Sequence, residues 1–97
     1  MINKIEMYLP NYNVVINNNN AYINDKTLLL NEEDIDNIIR EIRAWKEEYK
    51  KNALEESEYY IRLYNNDELV KAHLFHGFFP ENFNNLLEIV GDLYDRT

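Results

Sequence analysis

Apolar residues recur every three or four positions after Asn31, the spacing of one face of a helix. Asn31 is a residue type that caps helices, and the acids that follow it favour the positive end of a helix dipole. We therefore predict a long helix over residues 31–54, with Trp45 as a core anchor. The apolar stripe consists of Ile35, Ile38, Ile42, Trp45 and Tyr49.

Alternating or β-branched apolar runs predict strands on both sides of this helix. Residues 1–30 contain one strand over 2–9, a second over 12–16, an asparagine turn over 17–20 and a return strand over 21–30. The return strand is interrupted near Asn24 and Asp25 by a second tight turn or a bulge. Residues 59–76 predict a hairpin, and the apolar stripe that follows Pro80 predicts a C-terminal helix over 80–95.

These elements predict one domain over residues 1–97 with an α+β fold. We expect a four- to five-stranded, mainly antiparallel sheet with both helices packed on one face. The two halves also align at an offset of 48 residues, which places Tyr12 on Tyr60 and Glu33 on Glu81. This alignment indicates either a (ββα)2 pseudo-repeat or chance identities in an asparagine-rich chain.

The charge balance restricts the class of partner. Eighteen acids against ten bases give a formal net charge of −8, which repels nucleic acid and attracts basic protein surfaces. The chain has no cysteine, which fits a reducing cytoplasm. No apolar run approaches the roughly 18 residues that cross a membrane. We expect a cytoplasmic protein, in the host cytoplasm if a phage encodes it, that contacts neither membrane nor nucleic acid directly.

Acids cluster in three stretches that predict contacts with a basic partner. Rows of carboxylates can imitate a phosphate backbone and occupy a cationic groove, although the same acids also suit a solubilising surface. The predicted acidic partner-binding residues are Glu32, Glu33, Asp36, Glu55, Glu56, Glu58, Asp67 and Glu68.

A second candidate surface is the sheet face that the helices leave uncovered. Alternation along the hairpin assigns Val70, Ala72 and Leu74 to the covered face and the intervening residues to the open one. An open face with aromatics and cations is solvated, a homodimer seam, a contact for another protein or a platform for base stacking, which the net charge opposes. The predicted open-face residues are Tyr60, Arg62, Tyr64, Lys71, His73 and Phe75.

The residues that usually carry chemistry are sparse or isolated. His73 and His76 lie three apart, so within a strand they point to opposite faces and predict structural roles rather than a metal site. Ser57 is the sole serine, and Gly77 and Gly91 do not form a phosphate-binding loop. We expect neither catalytic activity, nor a metal, nor a cofactor.

Abundant Asn, Ile, Tyr, Lys and Glu indicate an AT-rich coding sequence. In size, acidity and inferred origin, though not through any motif, the chain resembles the small inhibitors carried by phages and mobile elements, anti-CRISPR proteins among them. The leading hypothesis is an inhibitor that binds a basic surface on a nucleic-acid-handling defence enzyme. The alternatives are an immunity protein or antitoxin that neutralises a cognate toxin, and a homo-oligomeric structural or regulatory subunit.

Overall fold

The computed structural model describes residues 2–50 and 58–96 of the chain. Across these residues it contains two helices and seven strands, so the fold is α+β as predicted. The helices are α1 (Glu32–Ile42) and α2 (Phe83–Asp95). The strands are β1 (Lys4–Leu9), β2 (Tyr12–Asn17), β3 (Asn20–Ile23), β4 (Lys26–Leu29), β5 (Glu48–Lys50), β6 (Tyr59–Asn65) and β7 (Glu68–His76).

The described strands form one sheet in the order β4-β3-β2-β1-β6-β7-β5. Neighbouring strands are antiparallel, except that β5 and β7 are parallel. The sheet exceeds the four to five strands predicted for two reasons. The run over 21–30 makes two short strands joined by a tight turn, and β5 lies where the sequence predicts a helix.

Asparagine occupies the tight turns of this sheet. The described non-glycine residues with positive φ are Asn11, Asn18, Asn24, Asn66 and Asp67, and each lies in a turn between strands. Asn and Asp adopt the left-handed backbone more readily than other residues with a side chain. A share of the asparagine content therefore has a structural use beyond codon bias.

The prediction of a helix over residues 31–54 is wrong beyond Ile42, where α1 ends; residues 51–54 lie outside the described residues. Local propensity favours continuation, so tertiary contacts decide the end. The Leu74 amide donates to the Glu47 carbonyl, and β5 then adds to the edge of β7. Trp45 leaves the helix yet stays buried, which confirms its predicted place in the core.

Both helices pack on the same face of the sheet and run across the strands in opposite directions. Phe83 at the start of α2 packs on Phe75 of β7, whereas Tyr94 near its end packs on Tyr12 of β2. At one end of the helix pair the carboxylate of Glu41 accepts hydrogen bonds from the Asn82 and Asn85 side chains, and at the other end Asp34 pairs with Arg96. The covered sheet face carries the buried residues of β1, β2, β3, β6 and β7.

The sheet end that holds the start of β6 and the last residues of β7 is filled with aromatic rings. Phe75 is fully buried, and its ring centroid lies 5.2 to 5.9 Å from four others. We call this the aromatic end. Its rings are Trp45, Tyr49, Phe75, Phe79 and Phe83.

The structure does not support the (ββα)2 pseudo-repeat. At the offset of 48 residues, Val14 and Ile16 of β2 correspond to Arg62 and Tyr64 of β6. The first pair is buried under the helices, whereas the second pair is partly exposed on the opposite face. A duplicated unit would keep the same side chains towards its helix, so the two halves share an element order but not a packing arrangement.

No helix in the described part of the chain is long and apolar enough to cross a membrane.

Candidate functional site

Two acidic segments that are distant in sequence lie at the same end of the sheet, opposite the aromatic end. The first is the start of α1, with Glu32, Glu33 and Asp36, and the second is the turn between β6 and β7, with Asp67 and Glu68. We call this the acidic end and define it by these five residues. Five of the eight predicted acidic residues therefore lie at one end of the sheet.

The loops of the acidic end are tied together by asparagine contacts. Asn3 is central, because its carbonyl accepts from the Asn18 amide at 2.7 Å and its side-chain oxygen accepts from the Asn66 amide at 3.0 Å. Asn19 joins the same network to the chain that enters α1, since its side chain donates to the Leu30 carbonyl at 3.1 Å. These bonds hold the β6–β7 turn and the start of α1 in a defined arrangement.

The start of α1 is held by a reciprocal cap and an ion pair. The Asp34 amide donates to the Asn31 side chain at 2.8 Å, and the Asn31 amide donates to the Asp34 carboxylate at 3.1 Å, so the predicted cap is confirmed. Arg96 donates two further bonds to the same carboxylate, at 2.8 and 3.1 Å. The Arg96 hydrogen bonds hold the pKa of Asp34 below its ordinary value, so this acid is structural.

A cleft of about 380 Å³ opens at the acidic end, along the side of α1 that faces away from α2. Its floor is formed by the buried Ile5 and Ile16, and Ile35 and Ile39 of α1 are only partly buried beside it. The remaining lining residues are Ile2, Asn3, Asn18, Asn19, Glu32 and Asp36. Sequence reasoning missed this cleft, because an apolar stripe predicts which residues face the core but not how completely they are covered.

The other predicted acids do not join the acidic end. Glu58 lies at the aromatic end, where its amide donates to the Phe75 carbonyl at 2.9 Å. Glu55 and Glu56 lie outside the described residues.

The open sheet face carries Tyr60, Arg62 and Tyr64, as the alternation of β6 predicts. Arg62 lies 4.1 Å from the centre of the Tyr60 ring, and the Tyr64 hydroxyl donates to the Glu6 carboxylate at 2.8 Å. This hydrogen bond to the neighbouring acid raises the pKa of Tyr64. The three side chains thus contact neighbours within β6 and on β1 rather than standing isolated.

The prediction that Lys71, His73 and Phe75 share this open face is wrong. They lie on the face covered by the helices, and His73 and Phe75 are fully buried. The cause is a β-bulge in the hairpin. Tyr64 pairs with Leu69, but Leu63 pairs with Lys71 and not with Val70, so Val70 is the extra residue. One extra residue in a hairpin exchanges the two faces of the strand that follows it.

The two histidines have separate surroundings. His73 donates from Nδ1 to the Lys46 carbonyl at 2.7 Å and packs edge-on against Trp45, while burial lowers its pKa. His76 lies at the far end of β7, with Nε2 3.7 Å from the Glu48 carboxylate. The described residues contain no group of three or more side chains that could hold a metal ion.

Comparisons with models of protein families, with curated proteins and with solved structures found no match for this chain.

Proposed function

We propose that this chain is a stoichiometric inhibitor that docks its acidic end on a basic surface of a nucleic-acid-handling enzyme. The observation that carries the proposal is that two sequence-distant acidic segments lie at the same end of the sheet. Both are held by short backbone and side-chain hydrogen bonds. Such an inhibitor is of the anti-CRISPR kind, encoded by a phage or mobile element.

Electrostatics favours this mode of action. The net charge of −8 speeds the encounter with a cationic surface, and the exposed carboxylates of the acidic end compete there with phosphate groups. Charge steering of this type weakens as salt shortens the Debye length from roughly 30 Å at 0.01 M to about 8 Å at physiological ionic strength.

The test is a cleavage assay with a panel of purified CRISPR effector nucleases and restriction endonucleases. We expect one of them to be inhibited at an equimolar ratio, and the inhibition to weaken as salt rises. The variant that combines Glu33→Gln, Asp67→Asn and Glu68→Gln should raise the inhibitory concentration at least about tenfold, since rim charges chiefly change association.

A matched control removes the same charge elsewhere. Glu58→Gln, Glu81→Gln and Glu88→Gln alter three exposed acids outside the acidic end. This control should inhibit as well as the unmodified protein. Equal losses in the two variants would mean that net charge alone acts, and a panel without inhibition would refute the proposal.

The immunity-protein or antitoxin alternative uses the same acidic end, because a cognate toxin that acts on nucleic acid also presents a basic surface. Adding such toxins to the panel distinguishes an immunity protein or antitoxin from an inhibitor of a defence enzyme. The outcome is decided by which enzyme is inhibited at an equimolar ratio.

A homo-oligomeric subunit is the second candidate, and the open sheet face favours it. Tyr8, Tyr22 and Leu29 are 41%, 48% and 73% exposed on that face. The charged residues beside them, Lys4, Glu6 and Arg62, are of both signs, so two copies can approach there despite their net charge. Light scattering tests this candidate, and a strict monomer at tens of micromolar would exclude it.

A further inference from the structure

The cleft at the acidic end combines an apolar floor with an anionic rim. Its volume of about 380 Å³ lies within the roughly 300 to 1,000 Å³ that ligand pockets usually occupy. Ile5 and Ile16 are 1% and 2% exposed, whereas Ile35 and Ile39 are packed against the core only in part. The helix thus presents apolar surface that no described residue covers.

Some polar side chains around the cleft have hydrogen-bond partners within the chain, and others have none among the described residues. Asn3 and Asn19 use their side chains in the bonds that hold the loops. The carboxylates of Glu32 and Asp36 form no hydrogen bond or ion pair with any part of the chain over residues 2–50 and 58–96. None of the residues that line the cleft is a lysine or an arginine.

The helix dipole accounts for only one of these two acids. Glu32 is the first residue of α1, where a carboxylate stabilises the positive end of the dipole. Asp36 lies in the second turn, beyond the range over which that effect acts strongly. Asp36 thus places an exposed carboxylate beside the partly buried Ile35 and Ile39, where the helix dipole gives it little stabilising role.

We propose that this cleft binds a cation with an aliphatic stem, presented as a lysine or arginine side chain of the partner protein. The aliphatic stem of such a side chain lies along Ile35 and Ile39, and its charged head lies between Glu32 and Asp36. Long basic side chains bury their stems while the charge stays near water, which suits a cleft with an open mouth. The assignment of a partner side chain rests on the proposed function, whereas the chemistry of the cleft does not.

The probe that tests the chemistry is n-butylguanidinium chloride, with 1-pentanol as a neutral molecule of similar length. Both are titrated into the intact protein with ¹³C-labelled isoleucine methyl groups. We expect butylguanidinium to shift the methyl signals of the lining isoleucines with a dissociation constant on the order of millimolar, as suits so small a ligand. Pentanol should bind at least about threefold more weakly, the contribution of an exposed ion pair.

Variants then test whether the carboxylates of Glu32 and Asp36 bind the guanidinium group. Glu32→Gln and Asp36→Asn should each weaken butylguanidinium binding about threefold. Glu33→Gln is the matched control, because Glu33 lies in the same first turn but does not line the cleft. Equal binding of pentanol and butylguanidinium, or an equal effect of Glu33→Gln, would overturn the cation assignment, as would the absence of any shift.

A further variant separates this inference from the proposed function. Ile39→Phe fills the cleft without changing charge. If butylguanidinium binds as expected but no enzyme is inhibited, the proposed function fails and the chemistry of the cleft stands. If an enzyme is inhibited and Ile39→Phe inhibits it equally well, the partner side chain does not enter the cleft and the inference fails while the function stands.

Discussion

The two ends of the sheet lie under the same pair of helices but are filled differently. At the aromatic end, the rings of Trp45, Phe75 and Phe83 lie within 6 Å of one another and leave the core closed. At the acidic end, small polar loops meet the side of α1 and leave a cleft with isoleucine surface. Close packing at one end supplies stability, whereas apolar and charged groups stay accessible at the other end.

The largest expected loss of stability comes from removing a buried ring at the aromatic end. Phe75→Ala removes a fully buried ring from contact with four others and should lower the free energy of unfolding by about 3–5 kcal/mol. Urea denaturation measures the change, with the m value expected to be the same in the variant and the unmodified protein. Phe78→Ala is the control, because Phe78 is 47% exposed and its loss should cost less than about 1 kcal/mol. Similar costs for the two variants would contradict a closed aromatic end.

A smaller effect is expected where the aromatic end meets α2. The buried indole of Trp45 donates from Nε1 to the Asn82 side chain at 2.8 Å. Asn82 precedes the first residue of α2, yet its side chain caps no amide of that helix. Asn82→Ala leaves the indole N–H without its partner and should cost about 1–3 kcal/mol.

The change should appear in urea denaturation together with a shift in Trp45 fluorescence. Asn84→Ala is the matched control, because Asn84 is exposed within α2 and alanine favours the helix. If Asn82→Ala is as stable as Asn84→Ala, the indole hydrogen bond does not contribute to stability.

Enlarging one side chain on each side of α1 compares the two ends directly. Ile42→Phe adds volume to a site that is 1% exposed and should destabilise the protein by about 1–3 kcal/mol. Ile39→Phe adds the same volume beside the cleft, where there is room, and should change stability by less than about 1 kcal/mol. Thermal or urea unfolding of the pair decides the matter, and equal destabilisation would show that the cleft closes in solution.

The sequence predicts local features well wherever one side chain and its neighbours decide them. The cap at Asn31, the burial of Trp45, the hairpin over 59–76 and the α+β class with both helices on one face are confirmed. Each depends on a period or a residue type within one segment. The second half of the predicted long helix is the exception, because pairing of β5 with β7 outweighs local propensity.

The acidic end depends on information that no single segment contains. Glu33 and Asp67 share one end only because β1 lies between β2 and β6, and that strand order is a property of the whole sheet. The open face depends on a single bulge near Leu63, which moved His73 and Phe75 into the core. The alternating pattern of a strand does not reveal a register shift of one residue. Each strand alternates in the same way whether or not a bulge exchanges its two faces.

The smallest effect at neutral pH concerns His73, which the bulge places in the core near the aromatic end. Burial lowers its pKa below the ordinary value of 6.5, with the charge of Lys71 acting in the same direction and the Lys46 carbonyl and the charge of Glu47 opposing it. The unfolded chain therefore takes up the proton first as pH falls below 6.5. Stability contributed by the neutral ring is fully present above that value and is lost as pH falls through the lowered pKa.

His73→Leu should leave stability at pH 7.5 within about 1 kcal/mol of the unmodified protein, because one hydrogen bond is exchanged for apolar packing. It should also flatten the decline in stability between pH 6.5 and the onset of carboxylate titration near the ordinary Asp34 pKa of 3.8. His76→Gln provides the comparison and should retain the decline, since it leaves the buried His73 imidazole in place. Urea titrations at a series of pH values measure both slopes. A decline that persists in His73→Leu would mean that another group, and not the buried imidazole, couples the core to pH.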